Sequence, residues 1–194
     1  QTELADPQMA TWFYRSERVE SEKPEELLDS LGIKKGDVVA DIGTGGGFFS
    51  LRAAERVGPT GMVLAVDVQP EMIAGLEMMI ERFGHENIVP ILGNVDDPKL
   101  PADGVDHVLL VIAYHEFSHP AEMMRGVRQA MRRDGQMLIV EYKAENPDSR
   151  VAPLHKMSEA EIMAEIPALG FRLDRVIDII PSKHVFVFRK TAVH

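Results

Sequence analysis

The sequence predicts a three-layer α/β sandwich built on a mostly parallel, seven-stranded sheet, and three observations carry that expectation. After Gly36, short apolar runs rich in β-formers alternate with helix-patterned stretches, the order of repeated βαβ units. Only Pro181-Ser182-Lys183 separates the last two runs, which suits a hairpin and not a crossover helix, so one strand near the C-terminus is expected to be antiparallel. With 194 residues the chain has the size of one domain, and residues 1–194 are read as a single unit with one core.

Taken in order, Asp6–Arg18 and Pro24–Leu31 read as two helices ahead of the alternating core, within an N-terminal segment (1–35) placed to cover a substrate. Trp12, Phe13 and Tyr14 on the first of them read as packing residues that seat the helix on the sheet, with a cover over the site as the other reading. Strands are expected at Asp37–Asp41, Met62–Asp67, Ile88–Leu92, Val105–Ala113, Met137–Tyr142, Leu173–Ile179 and His184–Phe188. Helices are expected at Phe48–Val57, Glu71–Phe83, Ala121–Met131 and Glu159–Leu169. Their punctuation is explicit: Pro120 suits a first helical turn, Ser158 with Glu161 forms a capping box, and Gly84 and Gly170 stand where helices stop.

Composition removes several classes of function. No apolar run approaches the ~20 residues of a membrane span, so no membrane partner is expected. Against 31 acidic side chains there are 21 Lys and Arg, and a net charge of -10 repels phosphate backbones, so no nucleic-acid partner is expected either. The paired bases Lys34-Lys35 and Arg132-Arg133 sit beside turns and read as solvated corners. The absence of cysteine excludes disulfides, thiolate zinc sites and cysteine nucleophiles. The chain begins with Gln and no leader pattern follows it, so it reads as trimmed or processed, and a cytoplasmic monomer or homodimer is the expectation.

The most informative segment is Val38-Val39-Ala40-Asp41-Ile42-Gly43-Thr44-Gly45-Gly46-Gly47-Phe48. An apolar strand runs into alternate glycines and then a helix, so backbone amides and a positive helix end can approach a ligand closely. The loop lacks the Gly-Lys-Ser/Thr ending of a phosphate-gripping loop, which disfavours an ATPase or GTPase. Asp41 at the strand tip would repel a pyrophosphate but suits a cationic or amino-bearing ligand. Phe48 replaces the third glycine of the dinucleotide fingerprint, and the next strand ends on Asp67, well placed to accept hydrogen bonds from ribose hydroxyls.

On these residues the chain resembles the class I S-adenosylmethionine (SAM)-dependent methyltransferases, in the group that includes ubiquinone and menaquinone methylases, over Gly36 to about Phe188. Asp41, Gly43, Gly45 and Gly47 fit the family's acid-and-glycine loop, which holds the methionine part of SAM. Asp67 fits its ribose-binding acid, with Val68 against the adenine. Gly93-Asn94-Val95-Asp96-Asp97 with Leu100-Pro101 resembles the family's Gly-Asp-Ala stretch, and here Asn94 or Asp96 stands in for the acid on the adenine amine. The resemblance also assigns Thr44, Val95 and Ile112 to the cofactor's surroundings. Arg132 to Glu141 looks like the family's turn into its fifth strand, and the closing hairpin like its antiparallel seventh strand. What the resemblance implies is a Rossmann-like fold, SAM as cofactor and methylation of a small-molecule acceptor at oxygen or nitrogen.

Methyl transfer to oxygen or nitrogen needs alignment and the loss of a proton, so a base is expected beyond the fourth strand. That strand delivers Tyr114-His115-Glu116-Phe117-Ser118-His119 to the carboxyl end of the sheet. His115 is the general-base candidate, Glu116 the residue expected to orient it, and His119, Tyr114 and Tyr142 are alternates. A structural or substrate-orienting part for His115 is the other reading, and His155 would reach the same mouth if its loop folds over.

The string His115-Glu116-Phe117-Ser118-His119 also spells a zinc-protease motif, but Pro120 biases His119 away from the single helical face that this chemistry needs. His115, Glu116, His119 and His155 could converge on a loop-bound ion, yet the sequence assigns no metal. The rival functions are a SAM-binding regulator or scaffold without methylating activity and, disfavoured by Asp41 and Phe48, a nicotinamide-dependent oxidoreductase.

Overall fold

In the central strands, successive side chains enter two different apolar layers, which is why those strands read as near-continuous apolar runs. A computed structural model describes residues 16–146 and 151–191, and the aromatic trio Trp12, Phe13 and Tyr14 lies outside them. Strand β1 (Val38–Ile42) sends Val39 to one layer and Ala40 and Ile42 to the other. In β4 (Val105–Val111) and β5 (Met131–Lys143), Leu109, Leu138 and Val140 join the first layer, while Val108, Leu110, Met137 and Ile139 join the second.

Helices cover both faces. In chain order they are α1 (Ser16–Glu22), α2 (Pro24–Leu31), α3 (Phe48–Val57), α4 (Pro70–Phe83), α5 (Pro120–Ala130) and α6 (Glu159–Ala168). The first layer is closed by Leu27 and Leu28 of α2, Leu51 and Val57 of α3 and Leu76 of α4. The second is closed by Met124 and Val127 of α5 and Ile162 and Ile166 of α6. Pro70 and Pro120 occupy first turns, where a missing N–H has no partner to lose, so both helices start one residue before the position expected from the pattern.

The remaining strands are β2 (Met62–Asp67), β3 (Ile88–Leu92), β6 (Lys156–Met157), β7 (Phe171–Val176) and β8 (Lys183–Lys190). They order as β3-β2-β1-β4-β5-β8-β7, with β8 antiparallel to both neighbours and the rest of the path parallel. Three details correct the sequence expectation. An eighth strand, β6, is present, two residues long and paired with Tyr142 and Lys143 of β5. The β7–β8 link is residues 177–182 and not the three-residue turn expected, because Val176 is the last residue of β7. Finally, Val105 pairs with Met131 but His107 with Gln136, so Arg132–Gly135 bulge out of a strand that begins earlier than expected.

Strand β8 occupies one edge of β5 as far as Tyr142, while β4 leaves the other edge at Val140. The short β6 takes the edge that β4 vacates. It carries the Pro153–His155 turn to the carboxyl end of the sheet, beside the residues that follow β4. Among the described residues, no helix is long and apolar enough to cross a membrane.

Candidate active site

Strand β1 lies between β2 and β4, so the chain's crossovers leave it in opposite directions and open a crevice beyond the carboxyl ends of these strands. The glycine loop forms one wall. Gly43 donates its N–H to the Val66 carbonyl at 2.9 Å with φ +76°, and a Cβ there would stand 2.7 Å from the Cβ of Ala113. Gly45 differs: at φ +52° the space where its Cβ would be is open, so the crevice begins at its backbone. Gly47 ends the loop as the N-cap of α3.

Asp67 ties this loop to β2. Its Oδ2 accepts the Gly45 N–H and its Oδ1 the Gln69 N–H, both at 3.0 Å. Together Gly43, Gly45, Asp67, Val68, Val95 and Ile112 line a cavity of about 220 Å³, closed on its far side by Glu116 and Phe117. Ile112 holds φ +53°, a conformation that costs a β-branched residue of order 1–3 kcal/mol, and its N–H is fixed on the Val140 carbonyl at 2.8 Å. Strain therefore sits in the cavity wall. Asn94 is exposed and its N–H bonds the Asp97 carbonyl at 2.8 Å.

Asp41 and Thr44 lie behind the loop. The Asp41 carboxylate, 3 % exposed, accepts the Ser50 hydroxyl at 2.7 Å, and Ser50 lies 2.8 Å from the Thr44 hydroxyl. These three side chains pin the glycine loop to the first turn of α3. Burial pushes the Asp41 carboxyl from its ordinary 3.8 up to about 6, against the pull of the Ser50 and Thr44 hydroxyls. The folded chain thus holds this proton more tightly than the unfolded chain. Its contribution to stability is complete below pH 3.8 and is lost as the pH rises through about 6. Above that the fold carries a buried charge worth on the order of 3 kcal/mol. Asp41→Asn keeps an acceptor for Ser50 and removes the charge. Melting curves should show it stabilised at pH 7.5 and unchanged at pH 4; equal shifts at both pH values would refute a raised Asp41.

Beyond β4 the structure sorts the reacting-end residues into two sets. His115 and Glu116 belong to a 3-10 turn, Tyr114–Glu116, while His119 is the N-cap of α5, so the two histidines do not share a helical face. The Tyr114 ring is buried and its hydroxyl donates to Glu165 at 2.8 Å. Burial, and then that bond, hold the phenol well above its ordinary range, and the ring turns into the second apolar layer. His119 is exposed beside Ser118. Neither joins His115.

What meets His115 is Glu141, which lies on β5 and is fully buried. Its carboxylate lies 2.7 Å from His115 Nδ1, in the place expected for Glu116, and accepts the His115 backbone N–H at 3.3 Å. This bond raises the imidazole pKa above its ordinary value despite burial. Glu116 instead stands 3.8 Å from His115 Nε2. His155 completes the group, with its Nδ1 3.2 Å from the same Nε2. The one sequence signal that could have found Glu141 was an acid inside the apolar run Met137–Tyr142, where a buried charge needs a partner. Met72 and Met123 also reach the cavity, and nothing in the helical pattern distinguishes them from core methionines.

A doubly wound sheet whose glycine loop and Asp67 wall a crevice at the switch point defines a nucleoside-cofactor domain of the class I methyltransferase type. The chain belongs to the methyltransferase domain family, whose sequence profile matches residues 33–178, and its cofactor is SAM. A SAM-dependent methyltransferase from Aquifex aeolicus superposes with a TM-score of 0.87 at 26 % identity, covering 96 % of this chain and 100 % of that one. The ubiquinone/menaquinone biosynthesis C-methyltransferase UbiE of Pseudomonas putida (strain W619) is 25 % identical over 144 residues, 74 % of this chain and 55 % of the relative. A protein-L-isoaspartate O-methyltransferase from Methanococcus aeolicus is 37 % identical over 68 residues, 35 % of this chain and 32 % of its own. The chain thus spans about half the length of the UbiE relative and about a third of the isoaspartate enzyme.

Proposed function

We propose that the protein transfers the methyl group of SAM to an oxygen or nitrogen of a small molecule that docks against His115. Bound in the crevice, SAM supplies an electrophilic methyl group on a sulfonium. In this reading Asp67 accepts from the ribose hydroxyls, Val68 and Val95 flank the adenine with Asn94 at its edge, and the Gly45 backbone follows the methionine part. Asp41, Thr44, Gly43 and Gly47 shape the loop, and the strained Ile112 holds the wall between the two ends. The carrying observation is the buried Glu141 on His115 Nδ1, which leaves Nε2 directed at the group with Glu116 and His155. A side chain so oriented can receive the proton that an O–H or N–H acceptor must lose. The acidic, cysteine-free chain fits a cytoplasmic site of action on a small acceptor.

Two measurements test this. SAM and S-adenosylhomocysteine should raise the melting temperature, because they bind only the folded state, while NAD should not. With methyl-labelled SAM and a metabolite extract, label should enter dialysable products. A response to NAD but none to SAM, or label confined to protein or RNA, would remove the reading.

A further inference from the structure

His115, His155 and Glu116 present three ligand atoms within 4.8 Å of one another, from a 3-10 turn after β4 and a second one before β6. We infer that this trio is a binding site for a divalent transition-metal ion of the zinc class, at the acceptor end of the cofactor crevice.

The geometry has four parts. His115 Nε2 and His155 Nδ1 are 3.2 Å apart, and bonds of ~2.1 Å from each would meet at about 100°, inside the range of a tetrahedral or distorted site. Glu116, with its side chain 61 % exposed, needs only a side-chain rotation to bring Oε1 in from 3.8 Å as the third ligand. Glu141 accepts from His115 Nδ1, which fixes the tautomer and leaves the Nε2 lone pair on the side of His155 and Glu116; a buried carboxylate behind a histidine is the usual support of a metal-bound imidazole. Two carboxylates beside two histidines also give the site a negative charge, which favours a cation. The nitrogen content selects zinc-class ions over magnesium or calcium, which prefer oxygen sets.

Three protein ligands leave a fourth position open, as in a catalytic rather than a structural site. Glu116 also lines the cavity, so the site adjoins it. An acceptor O–H bound there would be acidified by the cation, give its proton to solvent water and take the methyl group from the SAM sulfonium, leaving S-adenosylhomocysteine. The inference thus rests on the proposed function for its chemical consequence and sharpens it: acceptors would be molecules with a metal-binding oxygen. Cation binding itself stands without that reading.

The test uses the untagged full chain with Zn²⁺, Co²⁺ and Mg²⁺ alone, followed by calorimetry, melting temperature and the visible spectrum of the cobalt form. One equivalent of Zn²⁺ should bind and raise the melting temperature, Co²⁺ should develop visible bands, and Mg²⁺ should do neither. His155→Ala changes a surface turn and should cost about a hundredfold in Zn²⁺ affinity, while Glu141→Gln should cost roughly ten- to a hundredfold. Each variant's melting curve checks its fold. No heat and no shift with Zn²⁺, or wild-type affinity in both His155→Ala and Glu116→Gln, overturns the site. A parallel SAM titration separates the two ideas. Zn²⁺ binding without SAM binding keeps the cation site and removes the methyltransfer reading, whereas methyl transfer without Zn²⁺ binding removes only the cation.

Discussion

Asp67→Ala lowers SAM affinity about a hundredfold, about 3 kcal/mol, with little change in melting temperature. The two parts of this expectation have separate causes. Hydrogen bonds to a charged acceptor are worth roughly 1.5–3 kcal/mol each, and a ribose offers two hydroxyls to the carboxylate in the proposed pose. Among the described residues the same carboxylate accepts the part-buried Gly45 and Gln69 amides, whose loss costs the fold about 1 kcal/mol. Calorimetry of the variant beside a melting curve distinguishes the two. A Kd within a few-fold of the wild type would take the ribose away from Asp67 and leave it as a brace for the glycine loop.

The second large effect is at His115. Replacing it by Gln keeps a donor for Glu141, and so avoids stranding a fully buried carboxylate, which by itself would destabilise the protein by several kcal/mol. Turnover with SAM and an accepted small molecule should fall on the order of a thousandfold, the weight of a proton-handling group in the transition state, while SAM affinity stays within about twofold. The amide of Gln neither accepts a proton at neutral pH nor replaces an imidazole as a ligand, so the loss is expected whether the proton leaves to Nε2 or at a bound cation. Unchanged turnover would make the His115–Glu141 pair a structural bond inside the mouth of the crevice. The Zn²⁺ titration, not this variant, decides between base and cation.

These two positions differ in how they could be read. Asp67 was visible as the last residue of an apolar run that follows a glycine loop, a relation fixed by local spacing. The glycines were legible for the same reason, although their separate duties were not. Gly43 makes room for Ala113, 70 residues away in the chain, while Gly45 opens onto the cavity. His115 was legible from its place just past a strand end, but its partners were not. Glu116, the neighbour in sequence, stands at the other nitrogen, and Glu141 and His155 arrive from β5 and from the turn before β6. Tyr114 shows the converse. Beside His115 in sequence, it turns to Glu165, because successive residues of a 3-10 turn are rotated by about 120° from one another.

The sequence by itself determined the layer architecture and the antiparallel strand near the C-terminus, and it showed the family through motifs spread from Gly36 to about Phe188. The first two depend on periodicity and link length, and burial of apolar faces enforces them wherever the chain goes. Only the tertiary structure decided that Asp41 is buried on Ser50, that Ile112 is strained in the cavity wall, and that a two-residue strand docks where β4 ends. The last of these depends on which strand edge is left open after the sheet has formed, a quantity with no local pattern. It brings His155 to His115, while the β4–β5 pairing brings Glu141.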